Sequence, residues 1–77
     1  MLYDKRATGR VIRRLRRKHG QTQEVLSGLA VVARSHLAMI ENGSKSPNIE
    51  TLWRIAEAFN MPLSELIRLV EDEINKE

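Results

Sequence analysis

Cysteine is absent from the 77 residues, which removes disulfides, thiol nucleophiles and thiolate metal sites together. The same absence makes an intracellular, cytoplasmic setting the expectation. The two histidines, His19 and His36, stand too far apart for a short ligand motif, so no metal or other cofactor is expected. Aromatic residues make up 4% of the chain and β-branched runs with a period of two are missing, which argues against a sheet. No uncharged apolar run reaches the roughly 18 residues that span a bilayer, and MLYDKRATGR lacks a signal-peptide apolar stretch. No acid pair, nucleophile–base set or ligand cluster falls at a catalytic spacing, so no enzyme is expected and no small-molecule ligand is evident.

What the chain does have is positive charge at one end. Residues 1–20 hold eight Lys and Arg side chains against Asp4 alone, a local charge of +7. Residues 21–60 come to −1 and residues 61–77 to −3, giving the overall +3. A basic block of this kind suits a polyanion, either nucleic acid or an anionic membrane surface, or is simply a well-solvated helix face. Composition does not choose among these. With 42% hydrophobic residues and no linker or internal repeat, residues 1–77 read as one small domain.

Apolar residues recur at spacings of three and four, and turn residues cut the chain into five helical blocks. The first covers about 5–19, with Val11, Ile12 and Leu15 inward and Gly20 as its stop. Thr22 is placed to cap a second helix, about 23–30, that buries Val25, Leu26 and Leu29 or Ala30. A third begins near Ala33, turns Leu37 and Ile40 inward and ends at Asn42-Gly43. After the loop Gly43–Pro47, Asn48 caps a fourth helix, about 49–59, with Ile49, Leu52, Ile55, Ala56 and Phe59 as its inner face. Trp53 is assigned to the edge of the core. Pro62 opens a fifth, about 63–75, carrying Leu63, Leu66, Ile67, Val70 and Ile74.

The second and third helices are joined by about three residues, and QEVLSGLAVVARSHLAMIEN, residues 23–42, has apolar positions where two crossed helices touch. This stretch resembles the phage-repressor and Cro-like helix-turn-helix family, also called the XRE type. The resemblance rests on Thr22-Gln23-Glu24, on Leu37, Ile40, Glu41 and Gly43 in register, on Pro47, on the Ile49, Leu52, Ile55-Ala56 face, and on Pro62-Leu63-Ser64-Glu65-Leu66. It spans roughly residues 8–68, leaving 69–77 as an extension of the last helix.

The resemblance implies an all-α, five-helix, lambda-repressor-like domain whose third helix lies in the DNA major groove. It implies base reading by Arg34, Ser35 and Met39, with Arg34 suited to guanine O6 and N7. Phosphate contacts are implied for Gln23, through side chain and amide at a helix N-terminus, and for Asn42, Ser44 and Lys45 in the loop. His36 is placed nearer backbone than base. Arg16 and Glu41 are implied to pair between the first and third helices, leaving Arg10 and Arg13 as the phosphate-facing residues of the first helix.

Three positions depart from the family pattern. Val31 stands where a positive-φ Gly is usual, Ser27 where the helix crossing usually has Ala, and Ala33 where Ser or Thr usually caps. The fifth helix carries a wider apolar band than one core face uses, so Ile67, Val70 and Ile74 are expected to contact a second copy. The function that follows is a double-stranded DNA-binding, nucleoid-associated transcriptional regulator, a repressor acting as a homodimer on a palindromic operator. An antitoxin-like module whose main partner is a protein, and sequence-blind polyanion or membrane-surface binding, stay open as alternatives.

Overall fold

The structure, a computed structural model, describes residues 1–76 and holds five helices: α1 (Lys5–Lys18), α2 (Gln23–Ala30), α3 (Arg34–Glu41), α4 (Ile49–Ala58) and α5 (Leu63–Asn75). No strand occurs among the described residues, so the all-α expectation holds. The expected extension of the last helix to residue 77 lies, at its final position, outside the described residues.

Helix starts follow side-chain chemistry. Asp4, Thr22 and Asn48 accept hydrogen bonds from the amides of Arg6, Val25 and Thr51, each satisfying a donor that the first helical turn leaves open. Ala33 has no side-chain acceptor to offer α3, and α3 starts uncapped. Ends follow backbone freedom. Gly20 and Gly43 take positive φ, and so do two residues with a β-carbon, Asn60 and Val31.

None of these helices buries a face alone, and they share one core. α1 packs on α3 and α5, α2 on α3 and α4, and α4 on α5. Val11, Ile12, Leu26, Leu37, Ile40, Ile55 and Leu66 are fully enclosed at its centre. α1 and the end of α3 approach closely at Gly9. A β-carbon on Gly9 would come within 2.6 Å of the Glu41 carbonyl oxygen, and closer still to that of Ile40. Only a residue without a side chain allows the two backbones to meet there.

Three assigned inner residues prove exposed: Val25 of α2, and Ile49 and Trp53 of α4, Trp53 with 55% of its surface open. Of the alternatives Leu29 or Ala30, Ala30 is the buried one, and Thr51 and Ser27 are buried as well. Ser27 manages this because its hydroxyl donates to the Glu24 carbonyl at 2.9 Å. Val70, expected at a subunit contact, belongs to the core instead, because α5 turns it onto the same buried stripe as Leu66. Ile67 and Ile74 remain partly open.

Candidate nucleic-acid interface

The turn between α2 and α3 sets the geometry of the interface. Val31 closes α2 at φ 55° and ψ 51°, the left-handed region, and the Val32 amide donates back to the Ser27 carbonyl at 3.0 Å. The chain thus makes with valine the bend that glycine makes more easily. It then re-enters a helix whose first residues point outward. Arg34 and Ser35 are exposed, and Arg34 has no hydrogen-bond or ion-pair partner among the described residues. Arg34 shares an open polar notch with Arg16, Thr22, Gln23 and Glu24. Further along α3, His36 and Met39 are half-buried.

Glu41 holds α3 in place. Its carboxylate has no exposed surface, and it accepts from Arg16 Nε at 2.7 Å and Arg16 Nη2 at 3.0 Å, a two-pronged pair. Gln23 Nε2 donates to the same group at 3.1 Å and Arg13 Nε at 3.5 Å. Burial pushes the Glu41 carboxyl upward. The donors from Arg16 and Gln23 outweigh that push, holding the group below its ordinary range and therefore charged. Arg16 also donates to the Gln21 carbonyl at 2.8 Å, so one guanidinium ties α1, α3 and the entry to α2 together.

This network changes the roles expected of two residues. The Gln23 side chain, assigned to phosphate, is turned inward to Glu41 because a buried carboxylate outcompetes solvent for its amide. What Gln23 leaves outward is its backbone N–H, with that of Glu24, at the start of α2. Arg13 likewise leans toward Glu41, though 40% of its side chain stays open. Arg10 is committed to Glu73 on α5 at 2.9 Å, where Arg14 joins it at 3.0 Å.

The loop after α3 is internally bonded. Asn42 Oδ1 accepts from the Ser44 amide at 2.9 Å, and the Met39 carbonyl accepts from the amides of Ser44 and Lys45 and from the Ser44 hydroxyl. These bonds tie the loop to the end of α3 and occupy the amides of Ser44 and Lys45. Outward capacity is left to the Asn42 amide and to the Lys45 ammonium, which has no partner among the described residues. Lys5 Nζ donates to the Ser44 carbonyl at 3.2 Å, and the Tyr3 hydroxyl lies 3.0 Å from Ser46 Oγ, so the segment before α1 braces this loop.

Glu73 and Lys5 escaped the sequence reading. A signal for Glu73 was present: it stands seven residues after Leu66 and three after Val70, on the inner stripe of α5. An acid on an apolar stripe needs a buried partner. Glu41, four residues after Leu37, obeys the same rule. Among the described residues no group of three His, Asp or Glu side chains is arranged to hold a metal, and no helix is long and apolar enough to cross a membrane.

Comparison with known proteins agrees with this architecture. The helix-turn-helix family profile matches residues 12–66. The chain is 32% identical over 68 residues to the competence pilus inhibition repressor of Acinetobacter baylyi, covering 88% of this chain and 62% of that protein's length. It is 32% identical over 63 residues to an uncharacterized HTH-type transcriptional regulator of Archaeoglobus fulgidus, covering 82% of this chain and 90% of the other. Among solved structures it resembles the restriction-modification controller protein C.AhdI from Aeromonas hydrophila, with a TM-score of 0.79, 28% identity, and coverage of 84% and 98%. The controller protein C.Esp1396I matches over the full length of both chains with a TM-score of 0.87 and 23% identity, which is a likeness of fold. With the profile lying across all the helices from the middle of α1 into α5, the chain belongs to the phage-repressor and Cro-like helix-turn-helix family.

Proposed function

We propose that this chain is a sequence-specific, double-stranded DNA-binding transcriptional regulator that acts as a repressor, dimeric on a palindromic operator. The observation that carries the reading is the outward start of α3. Arg34 and Ser35 stand exposed, Arg34 without an internal partner, on a helix anchored from behind by Glu41. A guanidinium held out on a fixed rod suits the paired acceptors of guanine, worth about 1–3 kcal/mol of discrimination. Met39 offers apolar contact one helical turn further on. His36, half-buried, meets backbone at most.

Phosphate contacts flank this rod. On one side lie the open amides of Gln23 and Glu24 at the start of α2, where the helix dipole favours an anion. On the other lie Lys45, the Asn42 amide and Ser44, whose hydroxyl would reach phosphate by turning its proton from the Met39 carbonyl. Arg13, on the edge of α1 that adjoins α3, adds a further contact. These groups position the duplex, and the α3 side chains read it.

The dimer rests on α4 and α5. A groove between them is lined by Trp53, Glu57, Met61, Leu63 and Ile67, and a second cleft is lined by Tyr3, Ile67, Val70 and Ile74. Ile67 borders both clefts, and an exposed Trp beside them is the kind of anchor that self-association buries. Two copies joined there would present two α3 helices to half-sites about 34 Å apart. The same apolar surface favours the second reading, an antitoxin-like module that caps it with an unrelated polypeptide.

Selection of bound duplexes from a random pool tests the proposal. A palindromic preferred word is expected, and Arg34→Ala should relax the preference at one position of each half-site. Lys45→Ala should weaken all sequences alike and lower the salt slope by about one. A pool that returns no preferred word would sink the reading. Co-purification of an unrelated protein with monomeric chain would favour the antitoxin-like alternative.

A further inference from the structure

The outer face of α1 is more basic than the site above uses. Arg6, Arg10, Arg13, Arg14 and Arg17 fall at steps of three and four, so they form one stripe on the side opposite buried Ala7, Thr8, Val11 and Ile12. Lys18 extends it. Among the described residues these six cations meet three carboxylates: Asp4 with Arg6, Glu41 with Arg13, and Glu73 with Arg10 and Arg14. Glu41 is shared with Arg16 and Glu73 with Lys76, so the stripe is left strongly positive. Arg17 and Lys18 have no partner among the described residues. Like charges four apart repel and weaken a helix, and α1 carries four such pairs: Arg6 with Arg10, Arg10 with Arg14, Arg13 with Arg17, Arg14 with Lys18.

We infer that the outer face of α1 is a second polyanion site, one that binds the phosphodiester backbone of duplex DNA outside the half-site read by α3. The inference rests on the DNA-binding reading above. Its geometry is continuous with the phosphate contacts proposed there. At one end of α1, Lys5 is bonded to the Ser44 carbonyl, and at the other, Arg16 is bonded to the Gln21 carbonyl just before α2. The stripe from Arg6 to Arg17 is about 16 Å long at the helical rise, long enough to meet a few backbone phosphates. A membrane surface fits poorly, because an interfacial helix inserts an apolar face and that of α1 is already buried in the core. The backbone comes from one of two sources: DNA flanking the operator on the same molecule, or a separate duplex brought alongside.

The test uses the full chain and the selected operator as two duplexes, one ending at the half-sites and one extended by a helical turn on each side. Wild type is expected to bind the extended duplex on the order of tenfold more tightly. Arg17→Gln with Lys18→Gln, which breaks no ion pair among the described residues, should remove most of that gain and reduce the salt slope by about two, leaving the preferred word unchanged. Adding Arg14→Gln should lower the slope again. Flanking DNA as the source gives a gain that appears on the extended duplex at low protein. A separate duplex as the source gives no length effect, but capture of a labelled unrelated duplex that the double substitution abolishes. Equal behaviour of wild type and variant in both arms would overturn the inference, as would loss by the variant only of binding to a polyglutamate peptide. A wild type that selects no word, yet loses all duplex binding on the double substitution, would keep the α1 site and discard the reading by α3.

Discussion

At Gly9 a single methyl group is enough to separate two helices. The β-carbon of an alanine would overlap the last carbonyls of α3, which are backbone and have no rotamer to yield. Gly9→Ala should therefore destabilise the fold by about 2 kcal/mol, read as a lower urea midpoint with unchanged slope, since overpacking of this kind costs roughly 1–3 kcal/mol. Val31 presents the opposite case. Its left-handed backbone costs a β-branched residue about 1–2 kcal/mol, and its side chain is 73% exposed, so nothing in the core repays the strain. Val31→Gly should stabilise by about 0.5–1 kcal/mol after the extra chain entropy of glycine is subtracted. A thermal midpoint that falls on this substitution would show that the valine is held by contacts rather than strained.

At the scale of elements, the position of α3 depends on one buried carboxylate shared among Arg16, Gln23 and Arg13. Removing Arg16 alone would leave Glu41 desolvated without its main partner. Arg16→Ala should therefore cost about 3 kcal/mol or more in the denaturation midpoint. The paired change Arg16→Met with Glu41→Leu should recover most of that stability. It should still lower discrimination among duplexes, because apolar packing restores energy without restoring the angle between α1 and α3. Full recovery of discrimination by the double variant would show that the pair does not orient α3.

The five helices were legible because their punctuation is local: Asp4, Thr22 and Asn48 cap by their own side chains, and Gly20 and Gly43 stop by their own backbones. Inner faces were less legible. α2 is eight residues long and touches both α3 and α4, so a periodicity of two turns does not separate Val25 and Leu29 from Leu26 and Ala30. On α4 the large side chains Ile49 and Trp53 drew the assignment while Thr51 took the buried place. At the candidate interface, register put Arg34 and Ser35 on the exposed start of α3, but the bond from the Gln23 amide to Glu41 was not legible, since only three dimensions bring the two together. The network that turns Arg10 and Arg14 toward α5 joins residues 59 and 63 positions apart, and no local pattern carries that.

Across the whole molecule, the charge gradient read along the chain becomes a clasp, with the basic first helix laid against the acidic last one. Glu73 is its centre: donors from Arg10 and Arg14 hold its carboxyl down to about 2 against an ordinary 4.5. A carboxyl whose folded value lies below its unfolded one adds stability above the unfolded value and loses it as pH falls toward the folded one. The window is therefore about pH 4.5 down to about 2. Glu41 and Asp4, also depressed, lose stability in the same direction, so acid unfolding of the wild type alone would not isolate the clasp. The difference between wild type and Glu73→Gln does. Above pH 5 the variant should be less stable, because Gln keeps the shape but not the charge that Arg10 and Arg14 face. As pH falls through the window the two denaturation midpoints should converge, wild type losing what the variant never had. A gap that stays constant from pH 6 to pH 2.5 would mean that Glu73 acts through packing, and that the two ends of the chain are held together by the core alone.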